Sequence, residues 1–282
     1  MDLAIENTTL LTMAGEGLGI VDDGTIAFDG SEIAFVGSAE DFDGDPDREI
    51  DGHDLVTMPG FVDAHRHTTH TLLRGAAQDL PEIEWMTDGL GPVSRHADEA
   101  DRIAGARLGA IEGLLSGVTT VCEYAGDVGN LVESVYRPLG VRVVATETIN
   151  AVVDDREERG PREPYAFDRE KGEAAMDRAE ALFDQYEDDS LVTPAYGPQA
   201  LDMVPRGLLE TVEERAREHE RDVHVHVAQG RRERLQVQAR YGEDASTVDV
   251  LDDVGLLSDR LVAVHCHGAT DEERARIADS GA

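Results

Sequence analysis

The sequence predicts an α/β fold built on a parallel sheet, and three features of the chain indicate it. Six short apolar runs alternate with stretches in which apolar residues recur at helical spacing. Continuous apolar runs are typical of parallel strands that helices cover on both faces. Histidines follow or end three of these runs, at the strand end where barrel and open α/β enzymes place their chemistry. The six runs are Phe61–Ala64, Val118–Cys122, Val141–Ala145, Leu191–Ala195, Val223–Ala228 and Leu261–Val264.

Residues 1–56 precede these units and are predicted to form a small β module. Thr25–Phe28 has the alternating pattern of a strand, Asp29-Gly30 is a hairpin signal, and Ile33–Gly37 supplies the returning strand. The module is too short to close a core alone. We therefore predict two domains, a partial β module over residues 1–56 and an α/β domain over residues 57–282.

The helical stretches lie between the apolar runs. The first helical stretch, His96–Leu115, carries four apolar residues on one face, which we expect to pack on the sheet: Ile103, Leu108, Ile111 and Leu115. Six β/α units are visible, whereas a closed eight-stranded barrel needs two more strands. The pattern alone therefore fits either an open sheet or a fragment of a barrel. The helical stretches are His96–Leu115, Glu173–Tyr186, Pro205–His219, Arg231–Tyr241 and Asp271–Ala278.

The composition is strongly acidic, with 60 Asp and Glu against 25 Lys and Arg and a formal net charge of −35. Acid spread along the whole chain repels phosphate, which argues against nucleic-acid and anionic-membrane partners. It suits a halophilic protein at high salt, although an ordinary acidic cytosolic protein is the alternative. The N-terminus lacks a basic region and no apolar run reaches membrane-spanning length, so we predict a soluble, cytoplasmic protein.

Three His-x-His motifs carry the chemistry that the sequence indicates: His65-Arg66-His67, His224-Val225-His226 and His265-Cys266-His267. Residues two apart in a strand point to the same side, so each motif can aim two imidazoles at one metal ion. A single motif of this kind is more typical of a half-exposed strand end. Three of them, each at the end of an apolar run, favour a metal site.

The region around the first motif resembles the amidohydrolase superfamily. Pro59–His67 reads PGFVDAHRH, and Leu72–Gly75 and Glu84–Met86 follow it in the family's order. The most similar branch is the aminohydrolase/chlorohydrolase group, with S-adenosylhomocysteine and methylthioadenosine deaminases, guanine deaminase and triazine hydrolases. The resemblance covers essentially the whole chain, and its further motifs are Gly117–Thr120, Gly197-Pro198, His224–Ala228, Gly255–Leu257 and Val264–Cys266.

The resemblance implies a (β/α)₈ TIM barrel of amidohydrolase type, incomplete at about six β/α units, with part of a small N-terminal β-sandwich. The family's metal ligands correspond to His65, His67 and His226, and its aspartate after strand eight would fall beyond Ala282. The family histidine that contacts metal-bound water or substrate corresponds to His265. We therefore expect one Zn²⁺ per chain, with iron or another divalent metal as alternatives, and a homodimer in the full-length form.

The implied ligands also indicate a reaction. Three neutral imidazoles on Zn²⁺ leave a position for water, whose pKa falls towards 7. The resulting hydroxide can attack a C–N or C–Cl carbon of a heterocyclic or amidine-like small molecule. Binuclear relatives often use a carbamylated lysine, but the only lysine here, Lys171, lies in a polar stretch before a predicted helix. We therefore expect a mononuclear site.

Three departures from the family pattern limit the choice of substrate. Gln229 stands where deaminases of this branch have a proton-shuttling glutamate, and a carboxamide cannot donate and recover a proton near neutral pH. Gln199 replaces a substrate-facing histidine, and Ser94 stands where adenosine-type members have glutamate. We assign Gln229 with His265 to the catalytic site, and Trp85, Gln199 and Ser94 to substrate binding.

Two residues and two rival functions remain open. His224 is expected to be a core residue or to support a ligand, and Glu123 is expected to be structural. The first rival function is a non-catalytic metal-binding relative or an inactive fragment, because Gln229 replaces the shuttling glutamate and the family's strand-eight aspartate would fall beyond Ala282. The second is a metal-free α/β hydrolase, although the chain has no G-x-S-x-G elbow.

Overall fold

The N-terminal unit is a five-stranded sheet. The computed structural model describes residues 1–81, 84–153, 160 and 162–282, and these divide into the units Met1–Phe61 and Val62–Ala282. In the first unit the strand order is β3-β2-β1-β4, and β5 also pairs with β1. The strands are β1 Leu3–Leu11, β2 Ile20–Asp29, β3 Glu32–Ser38, β4 Glu49–Asp51 and β5 Val56–Thr57.

The predicted hairpin at Asp29-Gly30 is confirmed. Strands β2 and β3 are antiparallel, and Asp29 pairs with Glu32 across a two-residue turn. Gly30 has a φ of 59°, which a residue without Cβ adopts at little cost. Its amide donates to Asp2 Oδ2 at 2.7 Å, so the turn is also tied to the start of the chain.

The second unit is organised by a six-stranded sheet whose strands follow the chain in order, from β6 to β11. All six predicted apolar runs form these strands. The pairings from β7 through β11 are parallel, as continuous apolar runs separated by helices require. The strands are β6 Phe61–Arg66, β7 Val118–Ala125, β8 Arg142–Ile149, β9 Val192–Pro198, β10 Val223–Val227 and β11 Leu261–His265.

This sheet curls strongly from its first strand to its last. Neighbouring strands lie about 4.8 Å apart, so a flat six-stranded sheet would separate its outer strands by about 24 Å. The rings of His65 on β6 and His265 on β11 nevertheless lie 5.7 Å apart, centroid to centroid. The described residues thus form six β/α units of a nearly closed barrel, which confirms the predicted fold class.

Helices cover the outer face of the sheet. The predicted helical stretches all form helices, Arg231–Tyr241 with the predicted bounds, while the helix Thr247–Asp253 and the shorter segments were not predicted. Short helical segments also occupy Thr68–Leu73, Trp85–Leu90, Gly91–Ser94, Val128–Leu131, Val132–Tyr136 and Arg137–Leu139. No helix in the described part of the chain is both long and apolar enough to span a membrane. The longer helices are α1 Glu99–Leu115, α2 Arg169–Gln185, α3 Arg206–Glu218, α4 Arg231–Tyr241, α5 Thr247–Asp253 and α6 Asp271–Asp279.

The predicted packing face of α1 is wrong at three of its four residues, whereas Ile103 is partly buried and packs against the core. Leu108, Ile111 and Leu115 are exposed, Leu115 at 85%. The helix instead buries its smallest residues, which are Gly105, Ala106, Gly109, Ala110 and Gly113. These residues let α1 lie against the turn Thr68–Leu73, where a Cβ on Gly105 would come within 3.1 Å of the Thr69 carbonyl oxygen. Close approach to this turn, rather than apolar area, decides which face of the helix is buried.

Candidate metal centre

Strand β10 carries two histidines into the barrel because its side chains alternate. Val223, Val225 and Val227 pack in the apolar core with the outer helices. His224 and His226 therefore point to the opposite face of the sheet. Both are buried, with 1% and 6% of their surface exposed.

The first motif lies at the end of β6. His65 is the penultimate residue of the strand, and His67 immediately precedes the 3₁₀ turn Thr68–Leu73. His65 Nε2 lies 3.1 Å from His67 Nε2, and His67 Nε2 lies 3.3 Å from His226 Nε2. The three histidines assigned from the sequence as metal ligands therefore converge, although His226 is 159 residues from His67.

Backbone carbonyls determine which nitrogen carries the proton in two of these rings. His67 Nδ1 lies 2.7 Å from the carbonyl oxygen of Tyr124, and His226 Nδ1 lies 2.8 Å from that of Gln199. A carbonyl oxygen only accepts, so in both neutral rings Nδ1 carries the proton and Nε2 carries a lone pair. These two lone pairs face each other across 3.3 Å with no proton between them.

A cation relieves this repulsion, and the donor set fits zinc. Zn²⁺ binds imidazole nitrogen at about 2.0–2.1 Å, so two ligands on a tetrahedral ion lie about 3.3–3.4 Å apart. The separations of 3.1 and 3.3 Å between the Nε2 atoms are close to that distance. Carbonyl oxygens that hold the second nitrogen of a ligand histidine are typical of metal sites. His65, His67 and His226 can therefore hold one divalent ion.

His265 lies at the rim of the cluster. Its ligand nitrogen and those of His65 and His226 all lie within 4.8 Å of one another, and His265 is the exposed member of the three. The backbone around it is strained, because His265, Cys266 and Ala228 have φ values of 74°, 54° and 46°. Such left-handed residues cost about 1–3 kcal/mol each and concentrate at functional sites. The sequence expectation that His265 lies beside the metal is compatible with this position.

Burial keeps the imidazoles neutral. It lowers the pKa of His65 to about 2 and that of His226 to about 3, with neighbouring imidazoles adding to both shifts. It also lowers the pKa of His67, against the hydrogen bond to Tyr124, and that of His265. A neutral ring keeps the lone pair that a metal requires.

Two residues at the cluster were not assigned to the site from the sequence. His224 Nε2 lies 3.2 Å from His65 Nδ1, and His224 Nδ1 lies 3.2 Å from Thr146 Oγ1. The Tyr124 ring lies 4.7 Å from that of His226 and contacts the rings of His65 and His67 as well. Period-two alternation already placed His224 beside His226, whereas Tyr124 belongs to no motif and only its place near the end of β7 could have indicated it.

The remaining assigned residues are less directly connected to the cluster. Gln199 contributes its backbone carbonyl to His226, and its side-chain Oε1 accepts from Asn150 Nδ2. Gln229 follows β10 and donates its backbone amide to Glu233 Oε2 at 2.7 Å. Ser94 donates its hydroxyl to the carbonyl of Gly91. Trp85 is 40% exposed. Substrate contact by these four residues stays a prediction.

Nearly the whole chain is similar to known deaminases and to a chlorohydrolase. The chain is 31% identical over 269 residues to a 5-methylthioadenosine/S-adenosylhomocysteine deaminase from Pelotomaculum thermopropionicum, covering 94% of this chain and 58% of that protein. Its fold matches the zinc-bound adenosine deaminase from Xanthomonas campestris with a TM-score of 0.86 and 28% identity, covering 99% of this chain and 61% of that chain. The zinc-bound atrazine chlorohydrolase from Arthrobacter aurescens TC1 shares the fold at a TM-score of 0.79 and 22% identity, with 99% and 64% coverage.

These matches define what the chain is related to and how much of its relatives it spans. The chain covers about three fifths of the length of the deaminases it matches. Residues 56–281, which contain every histidine of the cluster, match the Amidohydrolase family. The chain therefore belongs to the amidohydrolase family.

Proposed function

We propose that the protein is a zinc-dependent hydrolase that displaces an amino or similar group from a heterocyclic or amidine-like small molecule. The named relatives are deaminases and a chlorohydrolase, which act on C–N and C–Cl bonds. The observation that carries the proposal is the pair of Nε2 lone pairs on His67 and His226, 3.3 Å apart with both Nδ1 protons committed to carbonyls. A cation between the rings satisfies both lone pairs at once.

Each histidine has a separate part in this proposal. His65, His67 and His226 hold zinc, which when bound supplies a water acidified to near neutral pH. His65 then uses Nε2 as the ligand atom, so its Nδ1–H donates to His224 Nε2 and the His224 Nδ1–H donates to Thr146 Oγ1. His265, the exposed ring of this group, would be free to hydrogen-bond the bound water or the substrate.

The carboxamide of Gln229 limits which leaving groups the proposed reaction can displace. A carboxamide donates and accepts hydrogen bonds but exchanges no proton near neutral pH, so Gln229 can orient a ring nitrogen without protonating it. Substrates with a leaving group that departs without strong acid assistance fit this residue better than an aminopurine does. We therefore propose a nitrogen heterocycle with an activated substituent as the preferred substrate class.

Zinc titration together with a substrate panel tests the proposal. The full-length product of the gene, freed of metal with a chelator, is titrated with Zn²⁺ against a chromophoric competitor. It is then assayed on aminated, chlorinated and alkoxylated heterocycles. We expect one zinc per chain, turnover that needs the metal, and loss of binding in His67→Ala and His226→Ala. Absence of zinc binding by the wild-type protein would contradict the proposal.

Gln229→Glu examines the proton shuttle directly. Restoring a carboxylate should raise kcat on an aminated heterocycle by about 10²–10⁴-fold, the usual contribution of a general acid or base. Gln185→Glu, which adds the same charge at an exposed position on α2, is the matched control and should leave kcat unchanged. An equal kcat in Gln229→Glu and the wild-type protein would show that position 229 has no proton-transfer role.

A non-catalytic metal-binding protein is the second candidate, and Gln229 is the observation that favours it. The same site would bind zinc through the three imidazoles without a group that moves protons for the leaving amine. Zinc bound at one per chain with no turnover on any panel member, in both the wild-type protein and Gln229→Glu, would favour this candidate over the hydrolase.

A further inference from the structure

Glu123 is a fully buried carboxylate beside the candidate metal centre. It lies on β7, one residue before Tyr124, and has 0% exposed surface. The Thr68 backbone amide donates to both carboxylate oxygens, at 3.1 and 3.2 Å. The hydroxyls of Thr68 and Tyr136 each donate to Oε2 at 2.5 Å. Two donor residues, from different elements of the fold, thus converge on one carboxylate.

The position of Thr68 connects this carboxylate to a ligand. Thr68 immediately follows His67 and is the first residue of the turn Thr68–Leu73. Tyr124, the residue after Glu123, accepts a hydrogen bond from His67 Nδ1–H with its backbone carbonyl. Two consecutive residues of β7 therefore hold His67 at two points, one through its ring and one through the peptide that follows it.

The opposite side of the same turn is held by α1. A Cβ on Gly105 would lie 3.1 Å from the carbonyl oxygen of Thr69, and a Cβ on Gly109 would lie 3.3 Å from Thr68 Cβ. Glycine at these two positions lets the helix backbone lie directly against the turn. The turn is thus enclosed between the Glu123 carboxylate and the glycine face of α1.

We propose that Glu123 is a positioning residue for the metal site, which holds the turn Thr68–Leu73 so that His67 Nε2 stays aligned with His65 and His226. The proposal rests on the proposed function insofar as the site binds zinc. Burying a carboxylate costs free energy, and here the hydrogen bonds that offset this cost hold the residue that follows the ligand His67. Outer partners of ligand histidines commonly change metal affinity 10–100-fold when they are replaced.

Glu123→Gln is the informative variant. It keeps the size of the side chain but replaces one acceptor oxygen with an NH₂ group, which must face at least one of the donors on Thr68 and Tyr136. Glu147→Gln is the matched control. Glu147 lies on the next strand, is 1% exposed, and accepts from the Val128 amide and from Arg178 Nε, neither of which belongs to the turn or to the imidazole cluster.

Three measurements on the full-length protein compare the two variants. They are the zinc dissociation constant by chelator competition, the visible spectrum of the Co²⁺-substituted site, and amide hydrogen exchange of residues 68–73 without metal. We expect Glu123→Gln to weaken zinc binding about 10–100-fold relative to Glu147→Gln, to alter the Co²⁺ bands, and to accelerate exchange in the turn. Glu147→Gln should leave all three unchanged.

Equal zinc affinity, Co²⁺ spectra and exchange in the two variants would overturn the proposal. A wild-type protein that binds no zinc would instead contradict the proposed function, and the exchange comparison would still decide whether Glu123 holds the turn. Should Glu123→Gln fail to fold, Tyr136→Phe takes its place. It removes one donor to Glu123 and leaves the aromatic ring, so it should produce a smaller shift in the same direction, and no shift in zinc affinity or exchange would overturn the proposal.

Discussion

In a neutral imidazole, the partner of Nδ1 decides whether Nε2 carries a lone pair. His67 and His226 each donate Nδ1–H to a carbonyl oxygen, which leaves Nε2 as a lone pair pointing into the cluster. For His65 the partner of Nδ1 is an imidazole instead of a carbonyl. Its Nδ1 faces His224 Nε2 at 3.2 Å, and His224 is in turn held by Thr146. His224 can thus keep the His65 proton on Nδ1, which leaves His65 Nε2 free to bind a metal ion.

Replacing His224 should weaken the metal site without removing a ligand. In His224→Leu the His65 Nδ1–H loses its acceptor, and we expect zinc affinity to fall about 10–100-fold. His224→Gln, which can still accept from His65 and donate to Thr146, should retain most of it. Competition with a chromophoric chelator measures the affinities, and circular dichroism of the metal-free proteins checks the fold.

A surface histidine is the control for this experiment. His219→Leu removes an imidazole at the end of α3, about half exposed and outside the cluster, and should leave zinc binding unchanged. Wild-type affinity in His224→Leu would contradict the role assigned to His224.

Helix α1 shows how packing against a neighbouring element outweighs the apolar pattern. Its leucine and isoleucine stripe predicts one buried face, yet the buried face consists of glycine and alanine. The element beneath it is the turn Thr68–Leu73, whose backbone carbonyls come within contact distance of the helix at Gly105. A larger side chain at the contact would push the turn away, so only the smallest residues fit there.

Gly105→Val should therefore destabilise the protein. Its Cβ would already lie 3.1 Å from the Thr69 carbonyl oxygen, and the two added methyl groups increase the overlap. We expect the free energy of unfolding to fall by about 1–3 kcal/mol, the usual cost of overpacking. Ala104→Val, at the adjacent exposed position of α1, should cost only the difference in helix propensity, about 0.5 kcal/mol. Urea denaturation measures both, and equal stability of the two variants would contradict this account of the packing.

The whole molecule combines a curled sheet with an acidic surface. The curl brings His65 and His265 within 5.7 Å although they lie on the first and sixth strands. The net charge of −35 is distributed along the chain, and its self-repulsion opposes any compact state. The Debye length falls from about 10 Å at 0.1 M salt to about 3 Å at 1 M, so added salt should remove most of this repulsion.

Thermal stability should consequently rise with salt. We expect the Tm of the metal-free protein to increase between 0.1 and 1 M KCl and to change less above 1 M, since most of the screening is then in place. NaCl should give the same curve if screening is the cause, whereas an uncharged osmolyte of equal osmolality should not. A Tm that is flat or falling from 0.1 to 1 M in both salts would contradict an electrostatic cause.

Local patterns in the sequence were sufficient to predict the six parallel strands, the hairpin at Gly30 and the three His-x-His motifs. These features depend on apolar runs, turn residues and period-two spacing, which are properties of neighbouring residues. The buried face of α1, the contact between His224 and His65, and the carbonyl partners of His67 and His226 became visible only in the folded chain. Those depend on atoms far apart in the chain, for His65 and His224 by 159 residues. No local pattern records which carbonyl or imidazole the folding of the sheet brings next to a given ring.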